Sequence, residues 1–555
     1  MQRYIGLTIG PIGDTLSLAD RPAELWVCSY LFSYIMKSIA KKLCCDGKLP
    51  LEHFLVPYID NKKLGMSEGK LHYGFFHDRM IIRSDALEAN ALEKVIREVK
   101  AEIAMEIAPH DMQALEFVNN YIQVYYAEIQ AGENPINKVN KVLDNLELRK
   151  SYNHKEIKNY ISRLFRSEDR RGNQSINSVI KTGFLIKDAS GCFEKSQLSK
   201  KKKDSTDEAS DIRDIDDIAI GTTIKENNKK RDRYFAIVQA DGDNMGKLLT
   251  LFEKKPEEMA RFYGEHFSLD IKGHEVIRNF SGKCFEYAQK ATELVNQYDG
   301  VTIYAGGDDL LFLAAFENDK KTVLELCSEI STLFNNVFEA EIEYTKRYNH
   351  EKGEESCAPS ISFGVNIASS KYPLYEARQR ASELLYIAKD EDRGKNSIAI
   401  EVQKTSGQKF GLVIKNSSKL INEICQLIKK FNSDEDFLKS VLWKIKNFEE
   451  LFKVAIEKED GDNKIIHTLF KNHVYDETHK KDLDKYIEEI AGLFQNIVLK
   501  SDEIFCIPYE NRNEYRYSGD GEKKQEEGKN RAISVMTSIL RLLKFRYEKA
   551  GERNE

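Results

Sequence analysis

The run Val301-Thr-Ile-Tyr-Ala-Gly-Gly-Asp-Asp-Leu-Leu-Phe-Leu-Ala-Ala315 limits the fold more than any other stretch of this chain. Two apolar, strand-like segments are joined by Gly306-Gly307-Asp308-Asp309. Glycines at the joint favour a tight hairpin, and that places two carboxylates at its tip. A second acidic turn, Asp241-Gly242-Asp243-Asn244, ends the strand-like residues 234–240. Around these turns the pattern runs strand (234–240), helix (273–298), hairpin (301–315), helix (320–341), strand (359–367). This is the βαββαβ order of a ferredoxin-like unit. In that topology the first and third strands are antiparallel neighbours, so the end of one meets the start of the other. Asp241 lies at that end, and Asp308 and Asp309 lie at that start. A helix (374–389) and a strand (396–402) complete the unit.

The same order recurs at the N-terminus. Residues 3–12 read as a strand. Residues 20–43 read as a helix, with Asp20 as N-cap and Pro22 in its first turn. Residues 53–60 and 71–83 read as further strands. Arg3-Tyr-Ile-Gly-Leu-Thr-Ile-Gly-Pro11 overlays Arg233-Tyr-Phe-Ala-Ile-Val-Gln-Ala-Asp241 without a gap, setting Pro11 on Asp241. Phe76-His-Asp-Arg-Met80 overlays Gly306-Gly-Asp-Asp-Leu310, setting Asp78 on Asp308 and Arg79 on Asp309. The expectation is a duplicated palm whose first copy has lost its metal site. Residues 86–165 read as helical, 199–232 as an exposed charged linker, and 411–555 as nearly all helical, with a loop at 517–528. The expected fold class is α+β: two ferredoxin-like palm domains with helical inserts and an all-α C-terminal domain. The expected boundaries are 1–150 (degenerate first palm with a helical extension), 151–232 (helical segment and linker), 233–405 (catalytic palm) and 406–555 (helical domain).

A chain of 555 residues has room for three or four domains, and 41% hydrophobic residues suffice for real cores. A net charge of −6 excludes a uniformly basic nucleic-acid binder. The apolar runs are too short to span a bilayer, and the N-terminus enters a strand pattern without a signal-peptide profile. A cytoplasmic protein without membrane contact is expected. The nine cysteines form no Cys-x-x-Cys pair; the nearest neighbours are Cys44 and Cys45. Neither disulfides nor zinc are expected.

The acidic turns suit nucleotidyl transfer. That reaction uses two divalent ions to ionise a nucleophile and relieve charge on the triphosphate. Mg²⁺ or Mn²⁺ would take oxygen ligands from Asp241, Asp308 and Asp309, with Asp308 and Asp309 as the candidate catalytic pair. The loop Gly242-Asp243-Asn244-Met245-Gly246-Lys247 has two glycines that let backbone N–H groups approach phosphate, and Gly306 and Gly307 do the same across the hairpin. Asp243 reads equally well as a residue that orients the loop. Lys395 is a better triphosphate candidate than Lys389, which reads also as a solvated helix residue. Asp460-Gly-Asp-Asn463 repeats the tetrapeptide behind a helix-like run, and so reads as a surface loop or helix cap. His77-Asp78 and His110-Asp111 lack the further ligands of a metal-dependent phosphohydrolase and read as structural.

On Asp241-Gly-Asp-Asn-Met-Gly-Lys247, Gly306-Gly-Asp-Asp309, Pro359-Ser-Ile-Ser-Phe-Gly-Val365 and Lys395-Asn396, the chain resembles the large palm-domain subunit of type III CRISPR effector complexes, the Cas-ten family, in its Cmr-type branch. Ile9-Gly-Pro11 and Leu25-Trp-Val-Cys-Ser-Tyr-Leu31 are similar to that family's first palm. The resemblance implies a subunit that works with CRISPR RNA, target RNA, backbone subunits and small helical subunits. It implies transfer of AMP from ATP to an adenylate second messenger, either cyclic oligoadenylate or AMP joined to S-adenosylmethionine. The chain enters directly at the first palm, so no HD nuclease activity is expected. Gly10, Pro11 and Asp78 would then form an acceptor pocket, in which the acidic Asp78 favours a cationic acceptor over a second triphosphate. Two other classes remain open: a diguanylate-cyclase-like enzyme acting alone, and a catalytically silent scaffold.

Overall fold

Along residues 234–240 the side chains alternate between two different cores, which is why the strand reads as one unbroken apolar run. Tyr234, Ala236, Val238 and Ala240 enter the core of the second palm. Phe235 and Ile237 enter a core they share with Ile5, Leu7 and Ile9 of the N-terminal strand. Leu310, Phe312 and Ala314 against Leu311 and Leu313 divide in the same way.

The computed structural model describes residues 2–45, 49–61, 63–64, 74–83, 87, 89–107, 112–132, 135–148, 215–220, 234–318, 320–352, 358–390, 395–430, 435–459, 464–475, 481–501, 503–506 and 521–550, with two short strand pairs between 167 and 212. The first palm comprises β1 (Gln2–Gly10), α1 (Pro22–Cys45), β2 (Phe54–Val56), β3 (Arg79–Arg83), α2 (Ala89–Ile107), α3 (Met112–Tyr121) and β4 (Gln123–Ala131). Its four strands stand in the order β2-β3-β1-β4, the ferredoxin-like arrangement. Helix α4 (Pro135–Glu147) then covers β1 and β4. A Cβ on Gly6 would lie 2.2 Å from Val139 Cγ1, so this strand–helix approach needs a glycine.

The second palm comprises β5 (Tyr234–Asp243), α5 (Met245–Lys254), α6 (Pro256–Phe267), α7 (Val276–Gln297), β6 (Val301–Gly306), β7 (Asp309–Ala315), α8 (Val323–Val337), α9 (Glu339–Lys352), β8 (Ser360–Ser369), α10 (Leu374–Ala388) and β9 (Ser397–Gln403). Helix α8 starts at a reciprocal cap. Thr322 Oγ1 accepts from the Glu325 N–H at 3.3 Å, and the Glu325 carboxylate accepts from the Thr322 N–H at 2.8 Å. With β10 (Lys409–Lys415) and β11 (Ile504–Cys506) the sheet has seven strands, ordered β6-β7-β5-β8-β9-β10-β11. Helices α11 (Leu420–Lys430), α12 (Glu435–Asn447), α13 (Glu449–Lys458), α14 (Lys481–Leu499) and α15 (Gly521–Ala550) follow or flank these edge strands.

The structure departs from the sequence expectations at four places. Strand β4 interrupts the stretch 86–165; it is an edge strand with mostly half-exposed residues, so it lacks a clean apolar alternation. Strand β10 lies inside the region expected to be helical from 411, where Phe410-Gly-Leu-Val-Ile414 is buried throughout and shows no period. Residues 215–220 form a helix whose Ile215, Ile218 and Ala219 enter the core between the palms, so this part of the charged segment is packed. Residues 521–528, expected in a loop, are the first turns of α15. His110-Asp111, 460–463 and most of 151–232 lie outside the described residues.

Candidate functional site

Strand β5 is antiparallel to β7, with Ala240 opposite Leu310. Asp241 directly follows and Asp309 directly precedes this pair in their strands, and their carboxyls are within hydrogen-bonding reach. Asp308 folds back over Gly242, where an added Cβ would lie 2.6 Å from its Oδ2. Gly307 holds φ +66°, a left-handed conformation that suits glycine, and Tyr304 lies against Gly306. The Asp241 carboxyl is within hydrogen-bonding reach of both Asp308 and Asp309, and the Asp308 charge acts on Asp309.

Asp241 and Asp308 are half-buried and Asp309 is exposed at its end of β7, with protein close around Asp308 and Asp309. That surrounding protein, with the Asp241 charge, pushes the Asp308 carboxyl up to about 7. The same causes, with Asp308 added, raise Asp309 well above the carboxylate range. Clustered acids in this state favour a proton or a cation between them. The cation present is Lys389, at the C-terminal end of α10. Its ammonium pairs with the Asp241 carboxylate and donates to the Gly242 carbonyl at 2.9 Å. Among the described residues no three His, Cys, Asp or Glu side chains stand in ready-made metal-ligating geometry. The oxygen donors nevertheless suit Mg²⁺ or Mn²⁺, and the repulsion among them is what such an ion relieves.

Asp243 faces away from this group. It is fully buried, and its Oδ2 accepts from Ser360 Oγ at 2.7 Å, Ser362 Oγ at 2.8 Å and the Asn396 N–H at 3.0 Å. It therefore ties the β5 turn to β8 and β9. Met245 also points inward, into the second-palm core. Asn244 (φ 61°), Lys395 (φ 55°) and Asn396 (φ 50°) all take left-handed backbone around one cavity. Lys395 Nζ donates to Asn244 Oδ1 at 3.2 Å. The cavity, of about 860 Å³, is lined by Asn244, Lys247, Ser360, Lys395 and Asn396 with Asn335, Glu339 and Lys346 of the α8–α9 region. Gly246 and Lys247 are exposed at its edge.

In the first palm, Gly10, Pro11 and Asp78 line one cavity of about 300 Å³, together with Asp14, Gln123, Tyr125 and Glu147. Thr8 Oγ1 donates to Glu147 at 2.6 Å, and Arg79 bridges Glu147 and Asp144. The registers correct the overlay of the two turns. The Ile9 N–H donates to the Asp78 carbonyl at 3.0 Å, continuing the pairing of Thr8 with Arg79. Ile9 corresponds to Gln239, which faces Leu311, so Asp78 stands three residues deeper than the overlay on Asp308 placed it. The cause is the long connection between β2 and β3, which is no tight hairpin. The two turns still meet, because the palms face each other: His77 packs against Gly307, and the charge of Asp78 adds to the rise at Asp309.

Sequence reasoning undervalued Lys389, which completes the acidic group. It also missed Ser360, Ser362, Asp14 and Glu147. The Ser-x-Ser spacing on a strand was the available signal, since period two puts both hydroxyls on one face. No local pattern marks Glu147, which reaches the first-palm cavity from a separate helix.

Two family models match. Residues 234–399 match the second palm domain of Cas10/Cmr2, and residues 4–108 match the N-terminal region of the CRISPR-associated protein Cmr2. The CRISPR system Cmr subunit Cmr2 of Pyrococcus furiosus is 28% identical over 194 residues, covering 32% of this chain and 19% of that protein. The match thus spans about a fifth of that relative's length. Among solved structures, the type III-B Cmr-beta complex in its apo state gives a TM-score of 0.52 at 12% identity, covering 96% of this chain and 82% of the matched one. Cmr-beta bound to cognate target RNA gives 0.51 at 12% identity, covering 96% and 83%. These two likenesses concern the fold. Among the described residues no helix is long and apolar enough to cross a membrane. Both palms are matched in order, and these matches support a Cmr-type Cas10 subunit.

Proposed function

We propose that this chain is the nucleotidyltransferase subunit of an RNA-guided antiviral complex, and that it transfers AMP from ATP. The observation that carries this reading is the register that sets Asp241 beside Asp309, with Asp308 folded over Gly242. Asp241, Asp308 and Asp309 are the residues that would hold Mg²⁺ or Mn²⁺. Such ions, when bound, neutralise triphosphate charge and favour the ionised nucleophile. Lys389 pairs with Asp241 in the resting protein. Lys247 and Lys395, with the backbone of 242–247, supply positive charge and N–H groups to the triphosphate, and the adjoining cavity has room for a nucleotide. In the transfer a ribose hydroxyl of the acceptor loses its proton and attacks the α-phosphorus, and pyrophosphate leaves. Asp243, Ser360 and Ser362 fix the loop on which this geometry depends.

The acceptor lies in the first-palm cavity. Asp14, Asp78 and Glu147 give that cavity an acidic lining, which repels a second triphosphate and attracts a sulfonium or ammonium group. S-adenosylmethionine carries both. The product is then AMP joined to S-adenosylmethionine rather than cyclic oligoadenylate. The partners in this reading are CRISPR RNA, target RNA and the other Cmr-type subunits, and the target-bound Cmr-beta structure supports it through its fold.

The test is mass spectrometry of products made from labelled ATP by the full chain assembled with guide RNA, partner subunits and target RNA, with and without S-adenosylmethionine. A conjugate that requires S-adenosylmethionine supports both steps. Cyclic oligomers formed equally well in its absence overturn the acceptor assignment alone. An unchanged product from Asp308→Ala with Asp309→Ala overturns the enzymatic reading and leaves a scaffold. Turnover of GTP without guide RNA would indicate a diguanylate-cyclase-like enzyme.

A further inference from the structure

We infer that His77 of the first palm is a positioning residue for the acidic hairpin of the second: its ring is the seat on which Gly307 rests, and it thereby fixes Asp308 and Asp309. This rests on the transferase reading above.

The contact is close. A Cβ added to Gly307 would lie 2.1 Å from His77 Cε1, 3.0 Å from Nδ1 and 3.1 Å from Nε2, so the ring lies over the glycine and leaves no space for a side chain. Gly307 is at φ +66°, the midpoint of the turn that carries both acids.

The seat is itself held from both palms. The Phe76 N–H donates to Ser33 Oγ of α1 at 2.8 Å. Phe75 meets Phe285 of α7 edge-on, with ring centroids 5.6 Å apart. The buried Lys63 places its ammonium 5.1 Å from the Phe76 ring centre and 4.5 Å from that of Phe285. A Cβ added to Gly74 would meet both Ser33 of α1 and Tyr304 of β6. Residues 74–77 are thus clamped between a first-palm helix and second-palm elements, and a clamped segment can serve as a stop. Asp78 of the acceptor cavity is the next residue. One short backbone stretch therefore spans the cavity proposed for the acceptor and the turn proposed for the donor.

The test uses the full chain in the reconstituted, target-activated complex. Gly307→Ala collides with His77, and its kcat is expected to fall about 100-fold, the scale of a 1 Å misplacement. Adding His77→Ala removes the collision. The double variant is expected to recover about tenfold or more, a coupling within the range of contacting residues. His77→Ala alone is expected to lower kcat with the KM for ATP unchanged, whereas His77→Leu, which keeps bulk without ring nitrogens, retains most of the rate. Losses that simply multiply in the double variant overturn the inference. So does a fully active His77→Ala, or a His77→Leu as impaired as His77→Ala, which would assign chemistry to the ring nitrogens. If Gly307→Ala does not fold, the Ala and Leu variants at His77 decide alone. A wild-type complex that makes no adenylate product instead refutes the transferase reading.

Discussion

Removing the Asp243 carboxylate strands the buried Ser362 Oγ and takes a partner from the half-buried Ser360 Oγ and Asn396 N–H. Asp243→Ala is therefore expected to lower the free energy of unfolding by about 1–3 kcal/mol in urea titrations. Asp308 behaves in the opposite sense. Its folded pKa of about 7 stands above its ordinary 3.8, so the stability it contributes is full below 3.8 and is lost as pH rises through 7. In chelator, the melting temperature of the wild type should fall more between pH 5 and pH 8 than that of Asp308→Asn, and Mg²⁺ or Mn²⁺ should shrink the difference. Equal slopes in chelator would show that the carboxyl is unperturbed. Both aspartates stand in motifs of the same form in the sequence. Only the strand opposite each one distinguishes them, and Ser360 and Ser362 lie more than a hundred residues from Asp243.

At the level of elements, α10 carries Lys389 to Asp241 and is pinned to β9 by a buried fork. Arg380 Nε and Nη2 donate to the Glu401 carboxylate at 2.8 and 2.6 Å, and Glu401 is 1% exposed. Glu401→Ala leaves Arg380 with Glu383 as its remaining anchor, and is expected to cost about 3 kcal/mol in denaturant titrations. It should also raise the KM for ATP if α10 sets the Lys389 position. The hairpin, the paired acidic turns and the order of the second palm were legible because β5, β6 and β7 are short apolar runs bounded by glycine or acid. Strand β4 was not legible, because Gln123-Val-Tyr-Tyr-Ala-Glu-Ile-Gln-Ala131 lies at a sheet edge, and one covering helix does not impose alternation. Strand β10 was obscured for the opposite reason, being buried throughout.

For the whole molecule, the shared core means that neither palm has a complete surface of its own. A fragment beginning at 234 would uncover Phe235, Ile237, Val301, Leu311 and Leu313, all buried here. Such a fragment is expected to bind hydrophobic dyes and elute as aggregates in size-exclusion chromatography, whereas coexpression with residues 1–148 should restore a monodisperse species. A soluble, dye-silent fragment would show that the palms are independent. The edge strands have a different reach. The Lys415 N–H donates to the Glu503 carbonyl at 2.9 Å, while Lys415 Nζ donates to the Lys395 carbonyl at 2.7 Å. Asn416 Nδ2 reaches Asn396 Oδ1 at 2.9 Å and the Ile361 carbonyl at 2.6 Å. The helical domain shares the second-palm core, with Phe545 edge-on to Tyr234 and Phe316, and at this edge Lys415 and Asn416 also hold the carbonyls of two consecutive left-handed residues, Lys395 and Asn396. Displacing β10 would therefore pull directly on the peptide that carries Lys395.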